Sequence, residues 1–377
     1  MANGDSRRLN DQGVICWRSA RCQWAYWDNG DLRIVNYLTR ETFAANPVAL
    51  EVVRFFSSPR TIRDAMVGFD AYTPASVGET ILKLIDGELL LRCDSPEWAR
   101  DELLASSWAA WLPGGAYHFL TKDAAYFGSD WTLEQKLQTI PRTPQPEQFK
   151  RIEGIQSISL PCPARDTDIF FQTLRERRTS RKFSQARVPL DQVAKLLHTT
   201  WGVQAYIDTD HFGPLPLKTS PSGGARHPIE VYLMALEVNG LDPGLYHYDA
   251  RGHSLARVSS GAITAQTAQA FCADQAFVAR SAALFIMTGV FARTLWKYRH
   301  PRAYRVVLLD AGHLGQTFCL TATRMGLASF STAALKDTLI EEQLGIDGIS
   351  ESVLYVTGVG IPAGESPPAN PQGESTL

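Results

Sequence analysis

Ser220-Pro221-Ser222-Gly223-Gly224-Ala225-Arg226-His227-Pro228 runs straight into a nearly unbroken apolar stretch over residues 229–238. A turn rich in backbone N–H groups thus ends where a buried strand begins. Its glycines let backbone approach a ligand with no Cβ in the way. Upstream, Arg177-Arg178-Thr179-Ser180-Arg181-Lys182-Phe183 gathers three guanidiniums around a hydroxyl pair. Guanidinium forks match phosphate oxygens two at a time. Together the two stretches suit a phosphorylated, planar cofactor.

Outward from them the pattern is α+β. Ile169, Phe170 and Leu174 mark a helix that ends at the arginine run, and Val193, Leu196, Leu197 and Thr200 mark another, closed by Gly202. Residues 245–248 and 254–258 read as a hairpin around Asp249-Ala250-Arg251-Gly252, and 283–290 as a second buried strand. A long helix is predicted from near Pro301, with a wide stripe that includes Tyr304, Val307, Leu308, Ala311, Leu314 and Phe318. Residues 353–356 supply a last strand. The expected architecture is a mixed sheet flanked by helices, with the long helix at its centre.

Residues 1–95 read as a small separate unit. Trp24 to Trp27 and Leu32 to Val35 flank Asp28-Asn29-Gly30-Asp31, and Asn-Gly is a strong hairpin signal. Asn46-Pro47 predicts an N-cap with proline at the first helical position. A short helix near 61–67, another over 74–86 ended by Gly87, and a strand over 88–92 complete a winged-helix-like pattern. The 74–86 helix sets Glu79 and Asp86 against Lys83 alone. Phosphate contacts need net positive charge, so a peptide-docking or structural role is expected and no nucleic-acid partner. Residues 96–165 form an aromatic-rich connecting segment with Trp98, Trp108, Trp111 and Trp131, and an extended linker over 141–146. The main domain spans 166–362, and 363–377 is a Pro/Gly/Ser tail expected to fray.

Composition narrows the function classes. Of 377 residues, 45% are hydrophobic and 20% charged, which excludes wholesale disorder. With 37 basic and 39 acidic residues the formal charge is −2, so no global basic field exists. Cysteines at 16, 22, 93, 162, 272 and 319 form no Cys-x-x-Cys pair, and no His-x-x-x-His pair occurs. Reduced thiols are expected, without a metal site. The opening MANGDSRRLND is polar, and the longest strongly apolar run, 282–292, is far below the ~20 residues that span a bilayer. A cytoplasmic protein without membrane partners is the expectation.

At RRTSRKF, the PSGGARHP turn, Gly244-Leu245-Tyr246-His247-Tyr248-Asp249, and Gly312-His313-Leu314-Gly315-Gln316 leading to Gly326-Leu327-Ala328-Ser329, the chain resembles the nitroreductase-like FMN flavoproteins. Within them it is similar to the SagB-type thiazoline/oxazoline (azoline) dehydrogenases, over residues 166–362. The N-terminal unit resembles the precursor-peptide-binding element that accompanies azole-forming enzymes. The resemblance implies a homodimer with FMN between subunits. It places Arg177, Arg178, Thr179 and Arg181 on the FMN phosphate, ribityl chain and ring edge. Pro221, Ser222, Gly223 and Gly224 would line the isoalloxazine, from either subunit. Ser329, Phe330, Ser331, Thr332 and Ala333 would offer backbone near flavin N5. Two departures stand out: Thr179 replaces a serine, and Gly358-Val359-Gly360-Ile361-Pro362 lacks the basic residue that often completes the phosphate site.

Lys297-Tyr298 resembles the Lys-Tyr pair that azoline dehydrogenases use near the flavin. Neither side chain is a ready base in water, and burial or a neighbouring ammonium would tune them. If this stretch is helical, adjacent residues point about 100° apart, so one is read as the base, Tyr298 first, and the other as tuning or orienting it. Arg226 and His227 are candidate substrate contacts. Tyr246 and Tyr248 are second-rank ones, of which strand alternation is expected to admit only one. The implied activity is FMN-dependent oxidation of an azoline in a peptide or carrier-bound precursor, with a cyclodehydratase among possible partners. Competing readings are an NAD(P)H-dependent nitro- or quinone reductase and a non-catalytic scaffold subunit.

Overall fold

The computed structural model describes residues 15–125, 132–138, 148–149, 160, 167–211, 213–259 and 263–364. The expected 141–146 linker, Trp131, Cys162 and most of the 363–377 tail lie outside the described residues.

At the N-terminal end, two three-stranded sheets and three helices share one small core. Asn29 and Gly30 both take positive φ, 49° and 90°, the primed turn that lets Gln23–Asp28 pair with Asp31–Asn36. Asn46 accepts the Ala49 N–H at 3.0 Å and caps Pro47–Phe55, while Thr61 caps Ile62–Gly68. Pro74–Asp86 ends at Gly87. Val52, Phe56, Ala65 and Ile81 are fully buried among these helices. Lys83 is engaged by Glu79 one turn back, at 2.8 Å. The unit is a small helix-and-sheet subdomain.

The segment after it packs rather than merely connecting. Pro96–Trp108 and Leu112–Leu120 are helices, and Trp108 and Trp111 are fully buried in the main core. Trp108 Nε1 donates to the Ile349 carbonyl at 2.9 Å. Arg18, buried, meets Asp101 at 2.6 Å and so fastens the N-terminal strand Cys16–Ser19 to the same helix.

The main domain is built on a six-stranded sheet. Its order is Ser254–Arg257, Gly244–Asp249, Ile229–Ala235, Ala283–Val290, Glu351–Gly360, Ala328–Thr332. Every pairing between these strands is antiparallel, so the expected mixed sheet is corrected. Among the described residues parallel pairing is confined to the Thr179–Ser329 bridge at the edge and to a separate two-stranded ladder, Val188–Pro189 with Val238–Asn239. The apolar 229–238 run reflects helices on both faces rather than a parallel neighbour. Val231 and Leu233 face the core with the central helix, Arg302–Arg324, while Tyr232 and Met234 face the core with Ala265–Phe271 and Asp337–Leu344. The last strand is ten residues long, well beyond 353–356. Among the described residues no helix is long and apolar enough to cross a membrane.

Candidate functional site

The arginine run lies along the outer strand. Helix Ile169–Glu176 stops at Arg177, and the chain then follows Ala328–Thr332: Thr179 bridges Ser329, and Ser180 N–H donates to the Ser329 carbonyl at 2.8 Å. Phe183 buries its ring against Phe330, at 5.9 Å between centroids, and so anchors the end of the run. Arg178 turns back onto the Arg175 and Arg177 carbonyls at 2.7 and 2.8 Å, satisfying the helix end. Arg181 is exposed and stacks 5.4 Å over Phe277. Arg177 is close enough to the central helix to help hold down the Cys319 thiol pKa, which burial raises. Ser184 N–H reaches the Ile361 carbonyl at 2.9 Å, so the segment lacking a cation passes beside the run.

The glycine turn is held by side chains. Ser222 Oγ donates to Asp310 of the central helix at 2.6 Å and accepts from His227 N–H at 2.9 Å. Gly223 N–H points at the same carboxylate at 3.4 Å, and Ser220 pairs with Thr317 at 2.7 Å. The Ser222 hydroxyl is therefore used inside the turn. Burial raises the Asp310 pKa, and the turn's two donors counter it. Gly224, Ala225 and His227 all take positive φ, at 62°, 55° and 44°. For Ala225 and His227 this is strained backbone, on the order of 1–3 kcal/mol each, that the surroundings must hold.

Lys297 and Tyr298 come to this turn. A Cβ built on Gly224 would sit 3.0 Å from Lys297 Nζ and would overlap Tyr298 Oη. The divergence expected of adjacent helical residues does not arise here. Helix Phe291–Leu295 has ended, Lys297 lies in a turn and Tyr298 beyond it, so helical spacing no longer applies. The Tyr298 carbonyl accepts from Trp111 Nε1 at 2.8 Å, and the Lys297 ammonium lies 5.6 Å from the centre of the Tyr298 ring. Trp111 and Asp310 position the pair and the turn, and neither carries a motif that would reveal it in sequence.

The turn spans a length of the central helix, from Ser220 on Thr317, two residues from Cys319, to Ser222 and Gly223 on Asp310. Asp310, under the turn, and Cys319, near Arg177, are nine residues apart on the central helix, about 14 Å at 1.5 Å per residue.

Beside the turn a cavity of about 530 Å³ opens on the sheet face opposite the central helix. Arg226 and His227 line it together with residues that sequence reading missed, Lys218, Glu230, His247 and Arg293 among them. Glu230 meets Arg293 at 2.5 Å and His247 at 2.9 Å. Burial works to raise the Glu230 pKa, but the two cations hold it below the usual range, and Glu230 in turn raises that of His247. Burial, with Lys218 nearby, pushes His227 down to about 4.

Tyr246 and Tyr248 are placed elsewhere. Two residues apart, they share one strand face, so alternation does not separate them; it turns His247 to the cavity instead. Both tyrosines are buried in the central-helix core, with hydroxyls on the Asp242 carbonyl and on His253. Phe330 likewise points into the core, whereas Ser331 and Thr332 are half-buried and Ala333 is exposed at the strand end.

Arg181 leaves its guanidinium in solvent, where it could hold a phosphate, while the space beside Gly223 and Gly224 is taken by Val306, Lys297 and Tyr298. A profile of the nitroreductase family matches residues 174–361. "Putative nitroreductase MJ1384" of Methanocaldococcus jannaschii is 32% identical over 171 residues, 45% of this chain and 81% of that protein. Trifolitoxin-processing protein TfxB of Rhizobium leguminosarum bv. trifolii is 35% identical over 143 residues. That stretch is 36% of this chain and only 38% of TfxB. Among solved structures, a chain of the Escherichia coli microcin synthetase McbBCD complex with truncated pro-MccB17 bound superposes with a TM-score of 0.51. It is 21% identical, over 70% of this chain and 94% of that one, which is likeness of fold.

Proposed function

The chain belongs to the nitroreductase family of flavoprotein oxidoreductases, and we propose that it works as an FMN-dependent dehydrogenase. Its substrate is an azoline-type heterocycle, thiazoline or oxazoline, in a peptide or carrier-bound natural-product precursor, and its product is the azole. The observation that carries this reading is the meeting of Lys297 and Tyr298 over Gly224.

Bound FMN would supply a hydride acceptor that dioxygen can regenerate. Arg177, Thr179 and Arg181 would hold its phosphate and ribityl chain, the 221–224 turn would line the ring, and strand end 331–333 would offer backbone to its edge. Aromatising an azoline removes a proton from one carbon and a hydride from its neighbour. Tyr298 Oη takes the proton, with Lys297 Nζ at the same turn as its orienting partner. The reading includes a homodimer in which a partner's turn meets the arginine run. Ile169, Phe170 and Phe171, at 50, 59 and 46% exposed, and Leu309 at 55% supply an apolar face for it.

The N-terminal unit distinguishes this reading from a small-molecule nitro- or quinone reductase. Gln23–Asp28 is an edge strand bearing exposed Trp24, Tyr26 and Trp27, a surface on which an extended peptide can add a strand. Relatives named for trifolitoxin processing and microcin synthesis support a peptide substrate and a multi-subunit biosynthetic setting, a cyclodehydratase included.

The test is mass spectrometry of candidate precursor peptides treated with the full-length protein, read as loss of two hydrogens per heterocycle. The Lys297→Met/Tyr298→Phe double variant is expected to keep FMN and to lose about 100-fold or more of this activity, the scale of a lost general base. Undiminished oxidation by that variant refutes the assignment. Rapid anaerobic bleaching of the flavin by NADPH, without peptide oxidation, selects the reductase instead.

A further inference from the structure

The polar cavity on the far face of the sheet is lined by charges that do not balance internally. Glu230 is taken by Arg293 and His247. Glu351 accepts from Tyr232 Oη at 3.1 Å and from Thr288 Oγ1 at 2.5 Å. Lys218 is different. It is half-buried in the wall, and no hydrogen bond or ion pair reaches its ammonium among the described residues. Glu230 acts on it only at longer range, and burial lowers its pKa. A cation partly withdrawn from water without a partner is costly, and an incoming anion relieves that cost.

We propose that this cavity is a carboxylate-binding site, anchored by Lys218, for an aryl or peptidyl carboxylate. An anion is favoured over a cation because Glu230 and Glu351 already hold donors, and Asp249, the third acidic side chain of the lining, accepts from the Arg251 N–H at 2.9 Å. A monoanion is favoured over a phosphate dianion, because Glu230, Glu351 and Asp249 would repel the second charge. His227 supplies a second contact. Its Nε2 lies 3.0 Å from the Pro216 carbonyl, which can only accept. The neutral ring therefore carries its proton on Nε2, and Nδ1 remains an acceptor for an N–H or O–H of the ligand. Val203, Tyr206 and Val290 give the walls apolar area, and about 530 Å³ lies within the range of small-molecule sites. This site does not depend on the flavin reading.

The test is calorimetric titration of the full-length protein at pH 7 with benzoate and with benzamide, which share a ring and differ in charge. Benzoate is expected to bind at least about tenfold more tightly, the scale of one charge-assisted hydrogen bond. Lys218→Gln should erase the preference while leaving benzamide binding unchanged, and Lys218→Arg should retain it. A measurement on the native chain stands beside the variants: benzoate should protect Lys218 from acetylation by acetic anhydride, read by peptide mapping. Equal affinities, undetectable benzoate binding, an unchanged preference in Lys218→Gln or equal acetylation would each overturn the proposal. Because binding rather than turnover is read, a protein that lacks flavin yet prefers benzoate keeps this site and sinks the dehydrogenase reading.

Discussion

The arginine run and the glycine turn answer to different physics, although both are assigned to one ligand. The run is fastened by backbone to a strand edge and by the buried Phe183, while Arg181 is left in solvent. Its shape is cheap to maintain, and its charge is available. The turn is held by Ser222, Asp310 and Ser220–Thr317, in backbone that two of its non-glycine residues do not favour. Surfaces that only neutralise charge tolerate exposure, whereas a surface that must lie flat against a ring has to be pre-organised. Substitutions in the run should therefore act on ligand, and substitutions under the turn on stability.

The sharpest break of that contrast lies in the run. Arg177→Met/Arg181→Met is expected to weaken FMN binding by about 100-fold or more, since each charge-assisted contact is worth about 1.5–3 kcal/mol. Its unfolding free energy should shift by no more than about 0.5 kcal/mol per site, as at ordinary surface positions. Flavin fluorescence titration and urea denaturation read the two quantities, and a large stability loss with intact FMN affinity would reverse the assignment.

Under the turn the opposite is expected. Asp310→Ala leaves Ser222 Oγ and Gly223 N–H without their acceptor, at a cost of about 1–3 kcal/mol. Asp310→Asn keeps an acceptor oxygen and should cost less. Urea midpoints compare them, and equal midpoints for wild type and Asp310→Ala would show that the turn does not need its tether.

The smallest effect concerns pH behind the outer strand. Burial lifts Asp337 from 3.8 to about 6, and its carboxylate accepts the Asp123 N–H at 2.9 Å. Between those values the folded protein holds a proton that the unfolded chain has released, so stability falls as pH rises through the window. The loss should be about 1–3 kcal/mol between pH ~4 and ~7 from this group. Asp337→Asn, a neutral mimic, should flatten that slope in urea melts at pH 4.5 and 7. An unchanged slope would move its origin to other groups.

What could be read in advance was local. Asn29-Gly30, the Asn46 cap and the stops at Gly87 and Gly202 act over a few residues, so side-chain chemistry alone predicts them. The 283–290 strand and the long helix were legible for the same reason, since their periodicity is complete within the element. Ala328–Thr332 was read for its backbone but not as a strand, because Gly326 and its serines carry little periodicity. Tyr246 and Tyr248 looked like contacts by composition, and the pleat sent them to the core.

Sequence by itself determined the α+β class, the glycine turn before a buried strand and the helix that ends at the arginine run, because turn propensity, charge and apolar period are properties of neighbours along the chain. Tertiary structure alone decided the antiparallel strand order, the convergence of Lys297 and Tyr298 on Gly224, and the union of Lys218, Glu230, His247 and Arg293 around one cavity. Those residues sit on separate elements up to 75 positions apart, and no local preference encodes which elements meet. Burial of both sheet faces chooses that, and the polar groups are then satisfied, or left waiting for a ligand, where the packing puts them.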